Sequence, residues 1–137
     1  MGGFTEYANY DGLGLAALVR RGEVSASELL DAAIARTEAL NGDLNAVVLK
    51  HYDEARAAIA AGLPEGPFTG VPFLLKTLEL GVRGTVTTHG SAMFRDAVAD
   101  HDSTLVGRYR AAGLVTFGKT NAPEFGLWPV TEPTLHG

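Results

Sequence analysis

The sequence predicts an α/β fold, and three observations lead there. Val71 to Leu75 and Leu114 to Phe117 are short apolar runs bounded by glycine and proline, with the length and composition of buried strands. Between them a helical pattern follows Asp102-Ser103, and a strand, a crossover and a second strand imply a parallel pair with a right-handed connection. Ahead of both, residues 13–62 are helical in composition, while residues 66–137 hold the strand-loop-helix-strand part. One domain accounts for the whole chain. Ligands of such sheets gather beyond the carboxyl ends of the strands, so Lys76 and the run Gly118-Lys119-Thr120-Asn121 are placed there.

The elements follow in order. Leu15, Leu18 and Val19 mark one face of a brief helix stopping near Gly22. Ser25-Ala26-Ser27-Glu28 is a capping box, in which Ser25 bonds the amide three residues on and Glu28 reaches back. Leu30, Ala33, Ile34, Thr37 and Leu40 continue that helix, and Asn41-Gly42 supplies a left-handed stop. Ala46 to Leu49 is a short extended piece, and Asp53 to Ala61 is a helix ending at Gly62. After the Val71 to Leu75 strand comes a long connection rich in glycine and threonine, of the kind that is often functional. Asp102 or Ser103 caps the helix carrying Leu105, Val106, Tyr109 and Ala112, which Gly113 closes.

Composition narrows the classes of function. The chain has 137 residues, 46% hydrophobic and 20% charged, with a net charge of −5 and a sequence pI near 5.3. No stripe of Lys and Arg is present to neutralise a phosphate backbone, so nucleic acid is not an expected partner. With no cysteine, neither disulfides nor thiolate metal sites contribute. No apolar run approaches membrane-spanning length. The start lacks a basic-then-apolar leader, and Glu6 stands where a myristoylation signal has Ser or Thr. The expectation is a soluble cytoplasmic protein without a membrane partner.

Lys76, ending the first strand, is the candidate for chemistry. An ammonium held against buried apolar surface loses hydration, which favours a neutral amine able to act as general base; the ordinary alternative is a lysine that snorkels into water. His51, His89, His101 and His136 have no metal-binding spacing, and glycines 81, 84 and 90 fit no phosphate-loop pattern, so neither metal nor cofactor is expected. Asp96, Asp100 and Asp102 suit a helix start. Ser91 could pair with Lys76 as nucleophile and base, or simply bond nearby backbone as loop serines do. Thr120 and Asn121 are expected to tie a turn at Gly118, with Pro123 opening a short helical turn.

Gly70-Val71-Pro72-Phe73-Leu74-Leu75-Lys76, then Thr87-Thr88-His89-Gly90-Ser91, then Asp102 to Arg110, then Gly118-Lys119-Thr120-Asn121-Ala122-Pro123-Glu124-Phe125-Gly126, together resemble the amidase signature family in order and spacing. The resemblance extends to Ser25 to Leu40 and to Leu44-Asn45-Ala46-Val47. It implies the N-terminal portion of an amidase fold, with a mixed or parallel sheet flanked by helices. It also implies cleavage of carboxamide C–N bonds by a Ser-Ser-Lys triad, without cofactor. In that triad a serine attacks the carbonyl, a second serine relays its proton, and the lysine accepts it. By position Lys76 matches the lysine. The two serines and the oxyanion loop of the family lie in a Gly/Ser-rich segment beyond Gly126, and none is found before Gly137, which leads to the expectation of a truncated chain, inactive alone. Such a chain would meet a small amide substrate and either a second copy or the missing C-terminal portion. The family usually has Asp after the lysine, where this sequence has Thr77. Thr131-Glu132-Pro133 and its neighbours look like the subgroup that hydrolyses cyclic amide oligomers of the nylon type. A non-catalytic α/β binding module keeping half of the fold is the alternative.

Overall fold

The computed structural model describes residues 4–137. Helix α1 spans Gly12–Arg20 and α2 Ala26–Leu44; strand β1 (Val47–Lys50), helix α3 (Tyr52–Ala60), strand β2 (Pro72–Lys76), helix α4 (Thr104–Ala111) and strand β3 (Val115–Thr120) follow. The sheet has the order β1-β3-β2. β2 and β3 are parallel, as the strand-helix-strand pattern requires, while β1 runs antiparallel to β3. The sheet is therefore mixed, with α2 and α3 packed against it through Leu30, Ala33, Ala55, Val115 and Phe117. A second cluster joins α1 and α2 to the entry of β2 through Leu15, Leu18, Leu29 and Val71. A third seats α4 on β2 through Leu75, Val82 and Val106.

The capping box at the start of α2 forms in full. The Ser25 hydroxyl accepts from the Glu28 amide at 3.1 Å, and the Glu28 carboxylate accepts from the Ser25 amide at 2.8 Å. Two otherwise unpaired helix-start donors are satisfied this way. Ser25→Ala is expected to cost about 1 kcal/mol in urea unfolding. An unchanged midpoint would mean the box is redundant with core packing.

Two local expectations are corrected, and a third is decided between its alternatives. Helix α2 does not stop at Asn41-Gly42. The Asn41 side chain instead accepts from the Val47 amide at 2.7 Å and donates to the Val47 carbonyl at 2.8 Å, pinning β1 to the helix. The backbone is thus free to continue to Leu44, and the left-handed stop falls on Asn45 at φ 47°. Gly118 is not a turn but a ladder residue of β3, paired with Lys50 and Leu74. A Cβ there would lie 2.8 Å from the Leu49 carbonyl oxygen, so the missing side chain admits β1 rather than a bend. Of the two candidate caps for α4, Ser103 is the one used. Asp102 instead accepts from the Arg83 amide at 2.8 Å and pairs with Arg110 at 2.9 Å, tying the long loop to the helix.

Candidate active site

Parallel pairing sets Lys76 beside Thr120, so both strands end together. Thr77 continues the ladder, its amide donating to the Thr120 carbonyl at 3.0 Å, and the Thr120 hydroxyl reaches the Leu75 carbonyl at 3.4 Å. Lys76 is exposed, and among the described residues its ammonium has neither a hydrogen-bond nor an ion-pair partner. The burial expected of it falls to another lysine. Lys119, opposite Leu75 in the ladder, has no exposed surface at all, and it donates to the Val86 carbonyl at 2.7 Å and the Thr87 hydroxyl at 2.6 Å. Burial pushes its pKa down to about 8. Strand alternation held the signal: the period-two count that turns Val115 and Phe117 inward also turns Lys119 inward.

The glycine- and threonine-rich loop is clamped from two sides directly behind Lys76. Lys119 grips Val86 and Thr87 from β3. On the other side Thr77, which is fully buried, bonds its hydroxyl to that of Thr88 at 3.0 Å, and its carbonyl accepts from the His89 amide at 2.8 Å. His89 adopts φ 52°, and its ring lies against Phe94 and Phe125. Gly90 follows at φ 70°, and a Cβ on it would sit 2.5 Å from the Ala122 carbonyl oxygen, so the loop and the chain after β3 approach as closely as backbones can.

Ser91 is buried, and its hydroxyl accepts from the Met93 amide at 3.4 Å with no bond to Lys76, the ordinary loop-serine role. Asn121 does not tie a turn at Gly118; its Nδ2 donates to the Gly137 carbonyl at 2.9 Å, and Pro123 leads into a short 3-10 turn over Glu124–Gly126. The histidines are dispersed, and among the described residues no group of three or more His, Cys, Asp or Glu side chains is arranged to hold a metal. His51 lies half-buried beside α3 with Nε2 unpartnered, and burial lowers its pKa. It lines a groove of about 500 Å³ with Glu54, Arg110, Val82 and Thr85, a groove that Lys76 does not reach. A depression of about 420 Å³ does adjoin the strand ends, lined by Asn45, Ala46, Thr120, Asn121 and Thr131. Among the described residues no helix is long and apolar enough to cross a membrane.

The chain as a whole has relatives among known proteins. The family profile described as Amidase matches residues 28–137, including every segment of this site. The chain belongs to the amidase signature family. It is 43% identical over 129 residues to the 6-aminohexanoate-cyclic-dimer hydrolase of Paenarthrobacter ureafaciens, covering 93% of this chain and 26% of that protein. It is 38% identical to the lipoamidase of Enterococcus faecalis, covering 96% of this chain and 18% of the relative. Among solved structures, 6-aminohexanoate cyclic dimer hydrolase complexed with substrate superposes with a TM-score of 0.87 at 42% identity, over 93% of this chain and 27% of that one. A bacterial aryl acylamidase of the amidase signature family superposes at 0.82 with 32% identity, over 90% of this chain and 27% of that one. The chain thus spans about a quarter of the length of the cyclic-dimer hydrolases it matches and less than a fifth of the lipoamidase. Its mixed α/β architecture is the one those structures share.

Proposed function

We propose that the protein to which this chain belongs hydrolyses carboxamide C–N bonds through a Ser-Ser-Lys triad in which Lys76 is the proton acceptor. The observation that carries the reading is the placement of Lys76. It ends β2 beside the end of β3, exposed and, among the described residues, without a hydrogen-bond or ion-pair partner, and its strand is paired with β3 up to Thr120. A base must be held where it is needed and be open to the nucleophile, and Lys76 meets both demands; the desolvation that would favour its neutral form is assigned to the chain that supplies the serines. The attacking serine's Oγ would bond to the amide carbonyl carbon, its proton passing through the second serine to the Lys76 amine and then to the departing nitrogen. Water would then release the acyl group by the reverse relay. Both serines and the oxyanion donors are assigned to chain outside residues 1–137, and pairing with that portion is the partner relation this reading entails.

The substrate proposed is a cyclic or otherwise end-blocked amide of a short amino acid, by similarity to the cyclic-dimer hydrolase. Turnover of the complete protein on the cyclic dimer of 6-aminohexanoate, followed by release of free amine, tests this. Because proton transfer alone activates the serine, turnover is expected to survive dialysis against a chelator. No amine release from this dimer or from a simple carboxamide would overturn the assignment. Loss of activity on chelation, restored by zinc or manganese, would overturn the triad.

A further inference from the structure

A line of hydrogen bonds runs from the residue after Lys76 to the last side chain of the described sequence. Thr77 Oγ1 lies 3.0 Å from Thr88 Oγ1, which lies 3.0 Å from His136 Nε2. Two amides also point into it, Thr88 N–H onto Thr77 Oγ1 at 3.2 Å and Gly90 N–H onto Thr88 Oγ1 at 3.3 Å. Proton counting fixes its direction. Each hydroxyl has one proton, and Thr77 is fully buried with no acceptor other than Thr88 Oγ1 in reach among the described residues. Thr77 therefore donates to Thr88, and Thr88 must place its own proton on His136 Nε2. In the opposite sense the Thr77 proton would be stranded in the interior, at the cost of an unmade buried bond. His136 is accordingly neutral, with its proton on Nδ1.

We infer that His136 is a positioning residue for the reaction proposed above: as terminal acceptor of the Thr77–Thr88–His136 relay it fixes the loop and strand end that hold Lys76. The inference rests on the reading of Lys76 as base. The segment bearing His136 is anchored for the task, since Asn45 Nδ2 donates to the His136 carbonyl and Asn121 Nδ2 to the Gly137 carbonyl. The groups packed on it, Thr88 from the loop, Asn45 from the end of α2 and Asn121 beyond β3, are uncharged. Glu132 in its own segment and Lys76 on the strand end make no ion pair or hydrogen bond with the ring, and the His89 ring is engaged with Phe94 and Phe125. Burial lowers the His136 pKa, which favours the neutral acceptor form. Protonating Nε2 would turn an acceptor into a donor facing a hydroxyl that already donates, and the relay would break from the histidine inward.

Nitrogen NMR on the complete, nitrogen-15-labelled enzyme near pH 8 reads the tautomer directly, whatever Lys76 does. The expected result is a bare Nε2 with Nδ1 protonated; a protonated Nε2 overturns the relay. On acidification the amide signals of Thr88 and Gly90 are expected to move with the His136 titration, and in His136→Gln, whose carbonyl still accepts but does not titrate, to stay fixed. Amides that titrate in both, or in neither, overturn it too. In the complete enzyme His136→Leu is expected to lower kcat by about tenfold with KM little changed, and His136→Gln to hold kcat within about twofold. Equal kcat in the wild type and both variants, with Lys76→Ala inactive, overturns the positioning role and leaves the base standing. Full turnover by Lys76→Ala overturns the base and the positioning role together, while the tautomer result separates that failure from failure of the relay.

Discussion

Lys76→Ala in the complete enzyme is expected to lower kcat on a carboxamide by about 10²- to 10⁴-fold, with KM nearly unchanged. The variant removes the group that accepts the nucleophile's proton and little else. Lys76 is exposed at the end of β2 and among the described residues bonds no other side chain, so the substitution opens no cavity and strands no buried polar atom there. Thermal stability should stay within about 0.5 kcal/mol of the parent, as surface changes away from special features do. Lys76→Arg should not rescue, because a guanidinium keeps its proton at any pH the protein tolerates. Near-normal turnover by Lys76→Arg would show that a cation, not a base, is needed at the strand end. A large loss of stability in Lys76→Ala would instead mean that this lysine has a structural partner in the complete protein.

Much of this frame is legible in the residues because its determinants are local. The Ser25-Glu28 box, the Gly62 and Gly113 helix ends and the two apolar strands each depend on neighbours within a few positions, and each forms at its pattern, although the second strand runs on past Phe117 to Thr120. What the sequence leaves unread depends on contacts between distant segments. Asn41 looks like a helix stop until β1 is laid beside it and takes both halves of its amide. Gly118 looks like a turn until the Leu49 carbonyl is seen to occupy the space of its side chain. The Thr77–Thr88–His136 line joins residues 11 and 48 positions apart, beyond any periodicity. Thr77, where the resemblance leads one to expect Asp, becomes intelligible there, since a buried hydroxyl donates its hydrogen bond into a neutral line where a buried carboxylate would need a charge partner. By sequence both lysines fall beyond the strand ends, whereas Lys119 lies within β3, opposite Leu75. The exposed one is the candidate base, and the buried one is a clasp.

That clasp has the largest expected effect on stability. Lys119→Ala should destabilise the protein by about 3 to 5 kcal/mol, since it empties a fully buried volume and leaves the Val86 carbonyl and Thr87 hydroxyl without their donor. Lys119→Met keeps most of the volume and removes the charge, and it separates the two contributions through pH. The folded-state pKa of about 8 lies below the ordinary 10.5, so between those values the unfolded chain binds more protons than the folded one. Stability from this group is therefore complete above 10.5 and is lost as pH falls through about 8. From pH 7 to pH 9.5 the parent should gain about 2 kcal/mol in urea unfolding, and Lys119→Met should gain none of it. That window lies below the titration of ordinary tyrosines, and burial and the Glu38 hydrogen bond hold the Tyr52 hydroxyl still higher, so Lys119 dominates the difference between the two proteins. Parallel pH profiles for parent and Lys119→Met would mean that the ammonium is solvated in the folded state and that the clasp holds the loop by its two hydrogen bonds alone.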